Sequence, residues 1–189
     1  LKPEKITSSE FGLELSMLNN KLSLDLSVYD MTTEDLIFDI AVPAATGFKF
    51  ERTNIGKVSN KGLEIALGAS LLQMSDFSWN TSLFYSKNEN TVEELTDGLD
   101  SFVYNISTDN NIAIKATKGG SIGDIYGKVW TSEVDASGLP IASTGTTELL
   151  GNAQPDFLAG WSNTLKYKNF SMNFLIDARI GGQIYSQTS

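Results

Sequence analysis

Apolar and polar residues alternate with a period of two through much of this chain. Phe11, Leu13, Leu15 and Met17 form one apolar row, with Gly12, Glu14 and Ser16 between them. After Asn19-Asn20 comes a second row, Leu22, Leu24, Leu26 and Val28, alternating with Lys21, Ser23, Asp25 and Ser27. A period of two sustained over roughly four to eight residues marks a strand with two unlike faces, so these rows predict a hairpin. Leu63, Ile65, Leu67, Ala69 and Leu71, a link at Gln73 to Asp76, then Phe77, Trp79, Leu83 and Tyr85 predict a second. The third lies in PDFLAGWSNTLKYKNFSMNFLIDARIGG, residues 155–182. Phe157, Ala159, Trp161, Leu165 and Tyr167 lead to a turn at Lys168-Asn169, and Phe170, Met172, Phe174, Ile176 and Ala178 lead back. Asn163 interrupts that apolar row.

The connections alternate between two lengths. They are tight within hairpins, but between hairpins they run from about Ile40 to Lys57 and from about Glu89 to Gln154, well beyond the usual 2–6 or so residues. Short turns at one end and long loops at the other are the layout of outer-membrane barrels, with turns in the periplasm and loops outside. In that layout Phe77, Trp79, Tyr167 and Phe170 lie beside the short turns, where an interfacial aromatic girdle belongs. A soluble β-sandwich with one buried face alternates in the same way. Two features favour the barrel. Each strand spans about nine residues or more, as a tilted membrane strand requires, against about five or six in soluble proteins. The polar rows are small, uncharged or acidic, without the dense Lys/Glu mixture of a solvated surface. The expected fold is therefore all-β, an antiparallel meander forming part of a large transmembrane β-barrel. Its six or so strands are too few to close, since single-chain barrels start at about eight. Open edges in lipid would leave backbone groups unpaired. Residues 1–189, which open at Leu1 without Met and stop after IYSQTS, are expected to be an internal segment of one barrel domain.

Composition narrows the function. Apolar residues make up 41% and charged residues 20%, and no run approaches the 18 or so apolar residues of a helical span. With 23 acidic and 14 basic residues, a net charge of -9 and no Lys/Arg cluster, nucleic acid is not an expected partner. Cysteine and histidine are both absent, which removes thiol nucleophiles, Ser-His arrangements and the commonest metal ligands. Neither an enzyme nor a cofactor is expected. The adjacent acids Glu93-Glu94 fit a solvated loop better than general acid/base work. Asp109-Asn110-Asn111, with Asp97 and Asp100, offer oxygen ligands of the kind calcium favours, but they lack the EF-hand pattern.

Four segments in order, VSNKGLEIAL (58–67), DFSWNTSLFYSKNENTVEEL (76–95), GGSIGDIYGKVW (119–130) and GNAQPDFLAGWSNTLKYKNFSMNFLIDARIGG (151–182), carry a family resemblance. Along nearly its whole length the chain resembles the C-terminal barrel portion of SusC/RagA-type TonB-linked outer membrane proteins. The resemblance implies nutrient import across the outer membrane of Bacteroidetes-type bacteria. It implies a barrel of about 22 strands closed by a plug, energised through TonB and lidded by a SusD-like lipoprotein, with oligosaccharides or sometimes peptides as substrates. The plug, the TonB contact and the final strands are expected to lie outside this chain. The alternative is a secreted or surface β-sandwich that binds glycans or mediates adhesion without transport.

Within this picture Glu14, Asp25, Asp177 and Arg179 are the lumen-facing candidates. They either steer solute during passage or pair with neighbouring structure, and Asp177 and Arg179, two residues apart on one face, can share a partner. On the longer external loop Asp97, Asp100, Phe102, Tyr104, Tyr126 and Trp130 are candidates for contact with substrate or partner. Rings stack on the apolar faces of sugars while acids and amides bond their hydroxyls, and the same residues also suit packing within the loop. GGSIGDIYG is expected to be structural, its glycines serving tight turns.

Overall fold

A computed structural model describes residues 1–42, 44–96, 98–106, 111–145 and 148–186, with residues 41, 44 and 104–106 described by their backbone alone. Among these the strands are, in chain order, β1 (Lys5–Met17), β2 (Leu22–Glu34), β3 (Ile37–Ala41), β4 (Phe50–Asn54), β5 (Gly56–Gln73), β6 (Phe77–Leu95), β7 (Ser101–Ile106), β8 (Ile112–Thr117), β9 (Asp124–Gly127), β10 (Trp130–Val134), β11 (Pro140–Ala142), β12 (Glu148–Asn152), β13 (Pro155–Tyr167) and β14 (Phe170–Gly181). Six of them form one antiparallel sheet in the order β1-β2-β5-β6-β13-β14. No helix among the described residues is long and apolar enough to cross a membrane, which leaves strands free to do so.

The three predicted hairpins are present, and local chemistry explains their turns. Leu18, Asn19 and Asn20 all take left-handed backbone (φ 54, 53 and 64°), as does Lys168 (φ 52°). Asn tolerates that region better than most residues, and the first turn begins at Leu18, one residue before the Asn pair. At the second turn a bulge at Leu71 brings Leu72 rather than Leu71 opposite Trp79.

Register places the apolar rows on one face. A single rung runs Leu13, Leu26, Ile65, Tyr85, Ala159, Ala178 from edge to edge. Among the described residues no second layer covers it: Phe11, Ile176 and Phe170 are 66%, 54% and 79% exposed. A β-sandwich would bury this face, so the sandwich alternative is set aside. Nearest the short turns Phe77, Tyr167 and Phe170 share one rung, with Trp79 opposite Leu165 on the next.

The break at Asn163 has a physical explanation. Its rung partner on β6 is Thr81, the other polar residue in the apolar rows of β6 and β13. The Trp79 indole N–H donates to Asn163 Oδ1 at 2.9 Å, and the Trp161 indole N–H donates to Thr81 Oγ1 at 2.8 Å. Thr81 Oγ1 in turn donates to the Ser162 carbonyl at 3.2 Å. Asn163 is 1% exposed, with the Trp161 and Phe174 rings edge to face nearby, 5.8 Å between centroids. The aromatics shield a polar rung from an apolar surrounding, where an unpaired polar group is expensive.

β5 and β6, of 18 and 19 residues, outrun the sheet. At about 3.3 Å per residue and a tilt near 40°, such strands rise about 45 Å, well past an apolar band of about 25 Å. The excess lies at the long-loop end, and the buried core sits there. Ile55, Val58, Val92, Phe102 and Ala116 are buried together against Leu36, Phe38, Ile40, Leu95, Leu99 and Ile122. The segment read as a loop over 89–154 is thus largely structured: β6 continues to Leu95, and beyond it lie a four-stranded sheet, β12-β9-β8-β7, and the hairpin β10-β11. The segment read as a loop over 40–57 holds the end of β3 and all of β4, which form a hairpin that begins at Ile37. Strand pairing and a small buried core stabilise these insertions, which period-two patterning over long windows does not reveal.

The face assignment is testable. Phe174 lies on the apolar face opposite Asn163, and Asn173 lies on the other face opposite Thr164. Phe174→Arg is expected to cost about 2–4 kcal/mol in denaturant unfolding from lipid, and Asn173→Arg much less. Equal costs would refute the face assignment.

Candidate functional site

The polar rows form the concave face. They line a concavity of about 1220 Å³ that includes Glu10, Glu14, Asp25, Glu64, Asp177 and Arg179. Three of the four charged residues singled out on this face fall on one rung, which reads Glu14, Asp25, Ala66, Phe84, Gly160, Asp177 across all six strands. Arg179 is on the adjacent rung: Gly12, Ser27, Glu64, Ser86, Leu158, Arg179. Glu14 faces Asp25 directly, and like charges so placed repel. Among the described residues the ion pairs are Lys5 and Lys57 with Glu34, Arg52 with Asp39, and Lys61 with Asp30. None neutralises the five acids of the concavity.

Among the described residues Arg179 and Asp177 share no partner. The Arg179 Nη2 donates to the Ala153 carbonyl at 2.8 Å, so this guanidinium fastens the end of the long insertion to β14. Gln183 adds to the fastening, accepting from the Asn152 backbone N–H at 2.7 Å and donating its own backbone N–H to the Asn152 carbonyl at 2.7 Å.

Two aromatic rings lie on the concave face, each beside a glycine of the next strand. A Cβ on Gly62 would fall 2.1 Å from the Tyr29 ring, and one on Gly160 would fall 3.1 Å from Asp177 Oδ1 and 3.6 Å from Phe84 Cδ2. Any side chain at 62 would evict the Tyr29 ring. Period-two reading overlooks Phe84, an apolar residue in a polar row, and Tyr29; the glycines opposite are their only signal. Glu10 and Glu64 are in phase with the polar rows, and that phase identifies them.

From Tyr29 a hydrogen-bonded ladder climbs towards the insertion. The Tyr29 hydroxyl donates to Asn88 Oδ1 (3.1 Å), and Asn88 and Asn90 amides both donate to Asn60 Oδ1 (3.3 and 3.0 Å). Asn90 Oδ1 then accepts the backbone N–H of Ile122 (3.0 Å). Asp124 accepts from the Ser121 backbone N–H (2.9 Å) and from Asn152 Nδ2 (2.8 Å). Gly119 and Gly120 exchange backbone bonds of 2.8 Å with Val92. The glycine-rich segment is thus clamped between β6 and β12, and buried Asn90 is its main side-chain anchor.

The insertion residues do not converge on one site. Phe102 is a core residue, 4% exposed and 5.1 Å from the Phe38 ring centroid, which is packing within the insertion, the alternative to contact with substrate or partner. Burial against β3 and β6 outcompetes exposure for a ring on a strand of a nested sheet. Tyr126 is half-buried, its hydroxyl 3.2 Å from Thr117 Oγ1 and Lys115 Nζ 5.0 Å from its ring. Trp130 is exposed on the separate β10-β11 hairpin, and Asp100 is exposed near β7. The Tyr104 backbone belongs to β7, while its side chain, Asp97, Asp109 and Asn110 lie outside the described residues. Among the described residues no group of three or more acids is placed to hold a metal ion. In the shorter insertion Arg52 grips Asp39 with two bonds of 2.7 and 2.8 Å. These hydrogen bonds hold the Asp39 carboxyl below the usual carboxylate range and raise the guanidinium.

A family model described as "TonB dependent receptor-like, beta-barrel" matches residues 1–187. The TonB-dependent receptor P3 of Formosa agariphila is 29% identical over 216 residues, covering 100% of this chain and 21% of the relative. The TonB-dependent receptor SusC of Bacteroides thetaiotaomicron is 29% identical over 202 residues, covering 98% of this chain and 20% of the relative. Among solved structures, that of the RagAB peptide transporter superposes with a TM-score of 0.73 at 21% identity, covering 92% of this chain and 21% of that one. The chain therefore spans about a fifth of the length of these relatives.

Asn90→Ala leaves the part-buried Ile122 N–H without its acceptor, an expected cost of about 1 kcal/mol. Amide hydrogen exchange over residues 119–124 should accelerate accordingly while the strands near the short turns keep their protection. Unchanged exchange in that segment would refute the anchoring role of Asn90.

Proposed function

The chain belongs to the TonB dependent receptor-like β-barrel family, and from that footing we propose that it supplies six strands of wall to an outer-membrane importer whose acidic concave face lines the solute path. The fold is part of a barrel, and the family is one of transporters and receptors. The whole protein resides in the bacterial outer membrane and imports a nutrient, an oligosaccharide or a peptide, drawing energy from TonB through a plug. A SusD-like lipoprotein covers its long-loop end. Support for these assignments comes from a relative named SusC and from neighbours titled RagAB peptide transporter and RagAB peptide importer.

One observation carries the reading: a single-layer sheet whose convex face is apolar and exposed and whose concave face collects five acids against the single cation Arg179 among the residues lining the concavity. Lipid on one side and an aqueous path on the other account for both faces at once. Glu14, Asp25 and Asp177 then act as fixed charges on the path, favouring cationic and neutral solutes over anionic ones, as a lined cleft focuses its field on what passes. Arg179 serves the wall rather than the solute.

In the full-length protein, Glu14→Gln with Asp25→Asn and Asp177→Asn should reduce uptake of a cationic oligopeptide about tenfold relative to a neutral one of equal length. Uptake of an anionic analogue should rise. If all three probes keep their wild-type ratios, the acids do not act on solute.

A further inference from the structure

We infer that Trp79, Thr81, Trp161 and Asn163 form a register key between β6 and β13. These neighbouring wall strands are joined by the long insertion, so no tight turn fixes their alignment. The hairpins β5-β6 and β13-β14 have one: their turns set how the rungs pair. Across β6 and β13 the apolar rows discriminate poorly, because a slip of two residues again sets apolar side chains against apolar ones on the lipid face.

The key is written twice in the sequence, as Trp79-Asn80-Thr81 and as Trp161-Ser162-Asn163. In the antiparallel register Thr81 and Asn163 share a rung, Trp161 sits opposite Leu83 on one side of it and Trp79 opposite Leu165 on the other. Each indole reaches diagonally to the polar residue of the opposite strand, at 2.9 Å for Asn163 Oδ1 and 2.8 Å for Thr81 Oγ1. One register satisfies both. A two-residue slip in one direction sets Thr81 against Leu165 and Asn163 against Leu83, and both lose their indoles. A slip in the other direction puts each indole directly opposite its acceptor, so the key discriminates most strongly against the first slip. Lipid offers no replacement partner.

The arrangement is not optimised for stability alone. Asn163 is 1% exposed, and its Nδ2 has no acceptor among the described residues. A buried polar residue kept despite an unused donor fits the role that single polar residues play in coiled-coil interfaces, fixing alignment rather than adding strength.

Inner-face cysteine pairs read the register directly, in full-length protein in isolated outer membranes with cysteines outside this sequence replaced. Ser82→Cys with Ser162→Cys reports the native register, since these residues share a rung. Ser82→Cys with Thr164→Cys reports a slip of two. In the otherwise native protein a short thiol cross-linker should join the first pair and leave the second nearly unjoined. Adding Thr81→Val and Asn163→Leu should raise the ratio of slipped to native product at least tenfold while the heat-modifiable folded barrel persists. An unchanged ratio would overturn the key. Should that variant fail to reach the membrane, Trp79→Phe with Trp161→Phe removes only the two indole donors and keeps the aromatic surface. It too must raise the slipped product, and a ratio equal to the native one would reject the inference.

Discussion

A strand that crosses lipid must give every backbone N–H and C=O to a neighbouring strand, because the surroundings offer no other partner. The inner strands of the six-stranded sheet satisfy this rule, the outer edges of β1 and β14 are left for neighbouring strands of a larger barrel, and the two faces follow from the alignment that the rule imposes. Glu14, Asp25, Phe84 and Asp177 share one rung, and Leu13, Leu26, Ile65 and Tyr85 share its neighbour on the reverse side. A slip by one residue in any strand would send acids into the apolar surroundings and apolar side chains into the concavity. Alignment, not a packed interior, is what this part of the molecule protects.

Past the reach of lipid the same chain changes its means of support. The long ends of β5 and β6 stand in water, where burial is favourable, and a core of Ile55, Val58, Val92, Phe102 and Ala116 gathers there. The asparagine ladder from Asn88 to Asn90 joins the two regimes, since its lower members line the concave face and its upper one anchors the glycine-rich segment. Side-chain amides suit such a border. They bond to each other in a row whether or not water is near, and they carry no charge to desolvate.

The long strands and their two faces were legible in the sequence because a half-exposed sheet imposes a period of two on every residue. Glu14, Asp25, Asp177 and Arg179 could be assigned to one face on that ground. What they touch could not: the bond from Arg179 to Ala153 depends on where a distant insertion returns. Phe84 escaped for a different reason. An aromatic residue in a polar row is tolerated because Gly160 on the next strand leaves room for it, and that pairing crosses a long insertion. Thr81 and Asn163 were visible as interruptions, yet their opposition appears only once β6 and β13 are aligned. The short strands β7 to β12 were illegible because a small nested sheet with its own core does not repeat any pattern over a long window.

The insertion between β6 and β13 leaves the wall at Leu95 and rejoins it at Pro155. Its return is held by Arg179 and Gln183, and its departure by the core around Val92. What the wall registers is the spacing of two anchor points. Between them Phe102, Ala116 and residues 119–122 rest on the upper ends of β5 and β6, whereas the β10-β11 hairpin with its exposed Trp130 forms a separate two-stranded sheet. Such a layout behaves as a socket: the outward surface can lengthen, shorten or change its chemistry by exchange of one continuous stretch of chain, while the barrel below inherits none of the consequences.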